Sequence, residues 1–172
     1  KRKFSQALFG TGYLGAQQSL FWTEAAPILH SNGVKANIPS EGLPEFVGRR
    51  TKIADIERQI IEIPNQNGIV YGLGGVGKTA LMIHLTRQLC EEQNPEDILF
   101  NNIVWVSAKR TFYDPVLDAV ETRNRQFETL HHVLSAILTF FEFEGVDGYG
   151  LEEKRDLVLE LLAENKVLLI LD

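Results

Sequence analysis

The feature that most constrains this chain is a run of glycines between residues 72 and 77, followed directly by Lys78 and Thr79. The run has the spacing G-x-x-x-x-G-K-[ST], which is typical of a loop that binds phosphate groups. The apolar residues 69–71 precede it and predict a short buried strand. A helix is expected after it, because apolar residues recur at helical spacing at Leu81, Leu85 and Leu89. The sequence therefore predicts a strand, a sharp glycine turn and a helix in immediate succession.

The chemistry of a triphosphate explains why these residue types stand at this spacing. Glycines adopt positive φ angles and carry no Cβ, so backbone N–H groups can turn toward phosphate oxygens. The helix N-terminus adds unpaired N–H groups and the positive end of its dipole. Lys78 supplies a mobile cation, and the hydroxyl of Thr79 is a hard oxygen ligand for Mg²⁺. We predict that the chain binds ATP or GTP with Mg²⁺ through Gly72, Gly74, Gly75, Val76, Gly77, Lys78, Thr79 and Ala80.

A second part of the same site is expected where the apolar residues 167–171 lead to Asp172. An aspartate at the end of a buried strand is the usual partner of such a loop, since its carboxylate helps to hold the Mg²⁺ ion. We therefore assign Thr79 and Asp172 to the metal, and Lys78 and Asp172 to catalysis. Many such ATPases need a further acidic residue at the next position, which would be 173. We expect nucleotide binding from this segment and at most slow ATP hydrolysis from the intact protein.

The order of the remaining elements predicts an α/β fold. Residues 102–107 are apolar without alternation, as in a strand of a parallel sheet that is buried on both faces. Apolar residues recur at helical spacing at Ile53, Ile56 and Ile60, and Thr51 is the expected cap of this helix. The same spacing recurs within residues 127–141 and 157–162. Residues 108–125 are polar and irregular. Strands that alternate with helices predict a P-loop NTPase three-layer sandwich with a mainly parallel sheet, truncated after the strand that ends at Asp172.

The chain also divides by composition. Residues 1–37 contain scattered apolar positions and several glycines, and we interpret them as the tail of a preceding domain or as an irregular segment. Residues 38–45, which include two prolines and a glycine, indicate a linker. Residues 46–172 form the predicted nucleotide-binding domain, and both ends indicate an interior piece of a longer protein.

Charge and composition exclude several other classes. The formal net charge is −6, which disfavours direct nucleic-acid binding, because a duplex partner requires a basic surface. No apolar run approaches the roughly 20 residues of a membrane span, so no membrane partner is expected. A single cysteine fits a reducing compartment, and we expect a cytoplasmic protein.

Several blocks in this order resemble the NTPase core of the STAND class, the NB-ARC-like signal-transduction ATPases. The blocks are Pro44–Arg49, Val70–Leu81, Ile103–Lys109 and Lys166–Asp172, and the third is most similar to bacterial members. The resemblance implies that Val47 and Arg49 contact the adenine, which favours ATP over GTP. It also implies a slow switch in which exchange of ADP for ATP drives homo-oligomerisation and activates effector and sensor domains of the same longer chain.

Two further expectations follow from resemblance. In related P-loop folds the strand after the Asp172 strand lies between it and the strand before the glycine loop. Without that strand, residues 69–71 and 167–171 would face a gap, and stable folding of the isolated segment is in question. In addition, Phe21–His30 resembles the closing strand of a CHAT caspase-like protease domain, without a catalytic His–Cys pair.

Two other functional classes share the glycine motif. A P-loop small-molecule kinase would need an acceptor pocket and lid arginines soon after the loop, and residues 108–125 provide arginines but no evident pocket. A DNA-linked AAA+-like ATPase would need a basic surface, which the acidic balance argues against. Rapid phosphate transfer to a metabolite would distinguish a kinase from a switch.

Overall fold

The computed structural model describes residues 28–30, 33–39, 48–62, 67–92, 99–108, 111–114, 119–122 and 127–172. The strands in chain order are β1 (Ile28–Leu29), β2 (Lys35–Ala36), β3 (Asn102–Val106), β4 (Thr111–Asp114), β5 (Ala119–Thr122) and β6 (Val167–Leu171). The helices are α1 (Arg50–Glu62), α2 (Lys78–Glu92), α3 (Leu130–Phe140) and α4 (Leu151–Glu164), with a short 3₁₀ turn at Val146–Gly148.

The main sheet has the strand order β1-β2-β3-β6. Strands β2, β3 and β6 run parallel, and β1 is antiparallel to β2. The longest pairing is between β3 and β6, where Asn102 lies opposite Val167 and Val106 opposite Leu171. Strands β4 and β5 form a separate antiparallel pair. The described part of the chain is thus a mixed α/β structure, as the order of apolar segments predicts.

All five residues of β3 are buried, because the strand packs against helices on both faces. Ile103 and Trp105 belong to a core that includes Leu81 and Leu85 of α2 and Ile53 of α1. The alternate residues Val104 and Val106 belong to a second core on the other face, formed mainly by α3 and α4. Burial on both faces explains the unbroken apolar sequence of β3, since neither set of alternating side chains meets solvent.

The side chain of Asn37, directly after β2, forms the hydrogen bonds to β3 that the backbone of a neighbouring strand would form. The side chain of Asn37 accepts a hydrogen bond from Trp105 N at 2.7 Å and donates one to Trp105 O at 3.0 Å. Val34 and Ala36 are buried in the same core as Trp105. The chain around β2 therefore packs with α1, α2 and β3. The assignment of residues 1–37 to a preceding domain stays a prediction.

Helices α3 and α4 meet through a polar contact inside their apolar interface. Lys154 is fully buried, and its Nζ donates to the Ser135 hydroxyl at 2.8 Å. Ser135 in turn donates to the carbonyl of His131, one turn earlier in α3. Because a buried ammonium without hydrogen bonds is costly, this chain of contacts specifies how the two helices face each other.

The structure departs from three sequence predictions. Residues 69–71 were predicted as a buried strand, but Ile69 and Tyr71 are 85% and 90% exposed and no described strand pairs with them. Helix α1 begins at Arg50, so Thr51 lies inside its first turn instead of capping it. Residues 108–125 were predicted to be irregular, yet they contain the β4–β5 pair.

Residues 69–71 are exposed, as is the end of β6, and the expectation that they face a gap stays a prediction. Leu171 of β6 is 55% exposed, and β6 pairs only with β3 among the described strands. A strand with a neighbour on one side only leaves the backbone groups of its other edge without partners in the sheet. The helices of the described part include none with both the length and the apolar character needed to cross a bilayer.

Substitution of Asn37 tests whether this side chain holds the two segments together. We expect Asn37→Ala to lower the free energy of unfolding by about 1–3 kcal/mol, because it leaves two backbone groups of Trp105 without their partner. Thermal or urea denaturation measures the change. Gln59→Ala removes an exposed amide from α1 and serves as the control. Equal stability of the two variants would contradict the structural role of Asn37.

Candidate functional site

The glycine loop, defined as residues 72–77, ends where α2 begins. Gly75 and Gly77 have φ angles of 75° and 82°, in the left-handed region that side chains with a Cβ rarely adopt. These two residues allow the chain to turn sharply into the first turn of α2, which contains Lys78, Thr79 and Ala80. The N–H groups at the start of this 15-residue helix have no acceptor within the helix, and the helix dipole places partial positive charge there.

The middle of the glycine loop has few neighbouring atoms. A Cβ on Gly74 or Gly75 would meet nothing within 4 Å, and a Cβ on Gly72 would lie 3.4 Å from the Val76 side chain. Val76 itself is 37% exposed. Space therefore remains over the middle of the loop, where a ligand can approach the backbone.

Lys78 folds back over the loop that precedes it. Its Nζ donates to the carbonyl oxygens of Gly72 and Leu73 at 3.1 and 3.0 Å. These contacts close the loop and place an ammonium group at its edge. The motif identifies the lysine but not the Leu73 carbonyl, since a backbone acceptor leaves no signal in residue type.

Thr79 and Asp172 meet although 93 positions separate them in the sequence. The Thr79 hydroxyl donates to Asp172 Oδ1 at 2.8 Å. Asp172 is held by the backbone ladder beyond β6, because its N–H donates to Val106 O at 3.0 Å and its carbonyl accepts from Ala108 N at 2.7 Å. A carboxylate and a hydroxyl are thus fixed at one point beside the start of α2.

This pair has the chemistry of a magnesium site. Mg²⁺ takes oxygen ligands, keeps several waters and is commonly bound by one or two protein groups together with phosphate oxygens. The described residues contain no cluster of three or more His, Cys, Asp or Glu side chains that would hold a metal without such a partner. The hydroxyl of Thr79 and the carboxylate of Asp172 are oxygen donors of the kind that Mg²⁺ accepts.

Arg49 lies beside the same loop, at the end of it nearest α2. A Cβ built on Gly77 would be 3.3 Å from Arg49 Nη1 and 3.9 Å from its Cζ. The family resemblance implies an adenine contact for Arg49, whereas its guanidinium here adjoins the glycine loop. Val47, the other residue with that implied role, lies outside the described residues.

The structure thus brings Arg49, Lys78, Thr79 and Asp172 to one end of α2. Comparison with family models, curated proteins and solved structures found no match for this chain.

Proposed function

We propose that this chain binds ATP or ADP with Mg²⁺ at the glycine loop and is the nucleotide switch of a larger signal-transduction or defence ATPase. The observation that carries the nucleotide assignment is the contact between Thr79 and Asp172. It sets a hydroxyl and a carboxylate 2.8 Å apart beside Lys78 and the open N-terminus of a long helix.

Each group would have a separate task in holding the ligand. Backbone N–H groups of residues 72–80 would donate hydrogen bonds to the phosphate oxygens, as the positive φ angles of Gly75 and Gly77 allow. Lys78 would exchange two neutral carbonyl partners for charged phosphate oxygens, which form stronger hydrogen bonds with an ammonium. Thr79 would bind Mg²⁺ directly, and Asp172 would bind the ion or one of its waters.

The position of the site within the fold supports a P-loop NTPase sandwich. Asp172 follows the carboxyl end of β6, and β6 is parallel to β3. Helices cover both faces of these strands. In open parallel α/β sheets, ligands bind outside the carboxyl ends of the strands, which is where this loop and carboxylate meet.

The switch part of the proposal rests on the STAND resemblance. ADP would hold one conformation, and exchange for ATP would favour another that forms homo-oligomers and activates effector domains under the control of sensor domains. Such a shift requires that the two nucleotides bind the two conformations with different affinity. Lys78 and Asp172 would serve slow hydrolysis that resets the switch. The acidic balance disfavours direct nucleic-acid contact, and the partners we propose are nucleotide and protein in the cytoplasm.

Nucleotide binding predicts thermal stabilisation that depends on Lys78. At a ligand concentration of 100 times Kd, binding adds about 2.7 kcal/mol to the folded state. We expect ATP or ADP with Mg²⁺ to raise Tm by about 5–10 °C. Lys78→Ala should abolish the shift, because the ammonium at the edge of the loop is lost.

Lys52→Ala is the matched control, since Lys52 is an exposed lysine of α1. It should retain the full shift measured by differential scanning fluorimetry. Absence of a shift in the wild-type protein would refute nucleotide binding.

The proposed metal role of Thr79 predicts a loss that depends on Mg²⁺. Affinity for ATP is measured by titration calorimetry with Mg²⁺ and with a chelator. Thr79→Ala should reduce the enhancement by Mg²⁺ about tenfold, the size expected for one bond to a charged group. Thr79→Ser keeps the hydroxyl and should retain most of the enhancement. Equal losses with and without Mg²⁺ would contradict the metal role.

A further inference from the structure

The guanidinium of Arg49 lies beside the glycine loop. Three guanidinium atoms adjoin one glycine of the loop: a Cβ on Gly77 would lie 3.3, 3.9 and 4.0 Å from Nη1, Cζ and Nη2. Gly77 directly precedes Lys78, the first residue of α2. The guanidinium therefore lies next to the part of the loop where α2 begins.

The backbone around Arg49 is held in an unusual conformation. Arg49 has a φ of 56° and follows Gly48 at 87°. A non-glycine residue in the left-handed region is uncommon and is maintained only when the surrounding structure requires it. Here the carbonyl of Arg49 accepts from Ile53 N at 3.1 Å, and the Ile53 side chain is buried in the core shared with α2. The start of α1 is thereby anchored to the element that carries the loop.

The charges around this arginine favour an anion. Among the described residues no carboxylate forms an ion pair with Arg49. The carboxylate of Asp172 accepts a hydrogen bond from the hydroxyl of Thr79. Lys78 brings a second cation to the same loop. Two cations beside the positive end of the α2 dipole form a site for a multiply charged anion, and a guanidinium can bind phosphate through two parallel hydrogen bonds.

We infer that Arg49 recognises the phosphate chain of the nucleotide and does not select the base. The inference rests on the proposed function and adds a specificity-determining residue to it. Its consequence is that Arg49 discriminates between ligands by the number and charge of their phosphates. ATP, GTP and inorganic tripolyphosphate are then equivalent ligands for this side chain.

The experiment compares the wild-type chain with Arg49→Ala and Arg49→Gly. Dissociation constants are measured by titration calorimetry for ATP, GTP and tripolyphosphate, each with Mg²⁺. Both variants should bind all three about tenfold more weakly, with an ATP-to-GTP ratio within twofold of that of the wild type. Arg49→Gly keeps the test valid if alanine disturbs folding, because glycine adopts the left-handed φ of this position without strain.

Arg50→Ala is the matched control, since Arg50 is the neighbouring exposed arginine at the start of α1. It should change each dissociation constant by less than twofold. A loss for ATP alone, or unchanged affinity in folded Arg49 variants, would overturn the phosphate role of Arg49 and leave the nucleotide site standing. A wild-type chain that binds neither ATP nor tripolyphosphate would overturn the proposed function and this inference together.

Discussion

The parallel pairing of β3 with β6 is the interaction on which the candidate site depends. β3 is buried throughout, so its position is set by apolar packing on both faces. β6 takes its register from β3 over five residue pairs, and the ladder continues one step further through Asp172. A slip of one residue would move the side chains of β6 to the opposite face and carry the Asp172 carboxylate away from Thr79. Core packing thus fixes the position of a polar group at the edge of the sheet.

Electrostatics at the loop contrast with those of the whole chain. The net charge is −6, yet the described groups around the glycine loop are Arg49, Lys78 and the positive end of the α2 dipole, with Asp172 as the carboxylate. Mg²⁺ would add two positive charges beside Asp172, so the balance there remains favourable for a triphosphate. An acidic surface elsewhere disfavours extended polyanions such as duplex DNA, while a local cluster still accepts a small one.

Local sequence patterns predicted the elements that bury their side chains. β3 and the inward residues of α2 follow from periodicity, because side chains buried on one face or both must be apolar. The prediction of a buried strand at residues 69–71 was wrong, since a run of apolar residues does not show whether a neighbouring strand covers it. The contacts of Asn37 with Trp105 and of Lys154 with Ser135 were not predictable either. Polar residues that are satisfied by distant partners have no periodic signature.

For the site, the motif identified the residue types but not their arrangement. The motif and the apolar strand before Asp172 predicted a shared metal site for Thr79 and Asp172, but not the direct hydrogen bond between them. Arg49 could be placed near the site only through family resemblance, and its guanidinium lies beside Gly77. Gly48 and Arg49 both have a left-handed backbone conformation. Backbone conformation at a single non-glycine residue is invisible to sequence periodicity.

The hydrogen bonds of the loop also explain how a ligand at this site would change the protein. Lys78 bonds to the carbonyls of Gly72 and Leu73, and Thr79 bonds to Asp172. A phosphate that attracts Lys78 would release the first half of the loop, and an ion that binds Thr79 and Asp172 would replace a direct contact between α2 and β6. Both events act on elements of the main fold, since α2 packs in one core and β6 contributes to both. Ligands that differ by one phosphate would engage these two sets of contacts to different extents. That difference in affinity is what a population shift between two conformations requires.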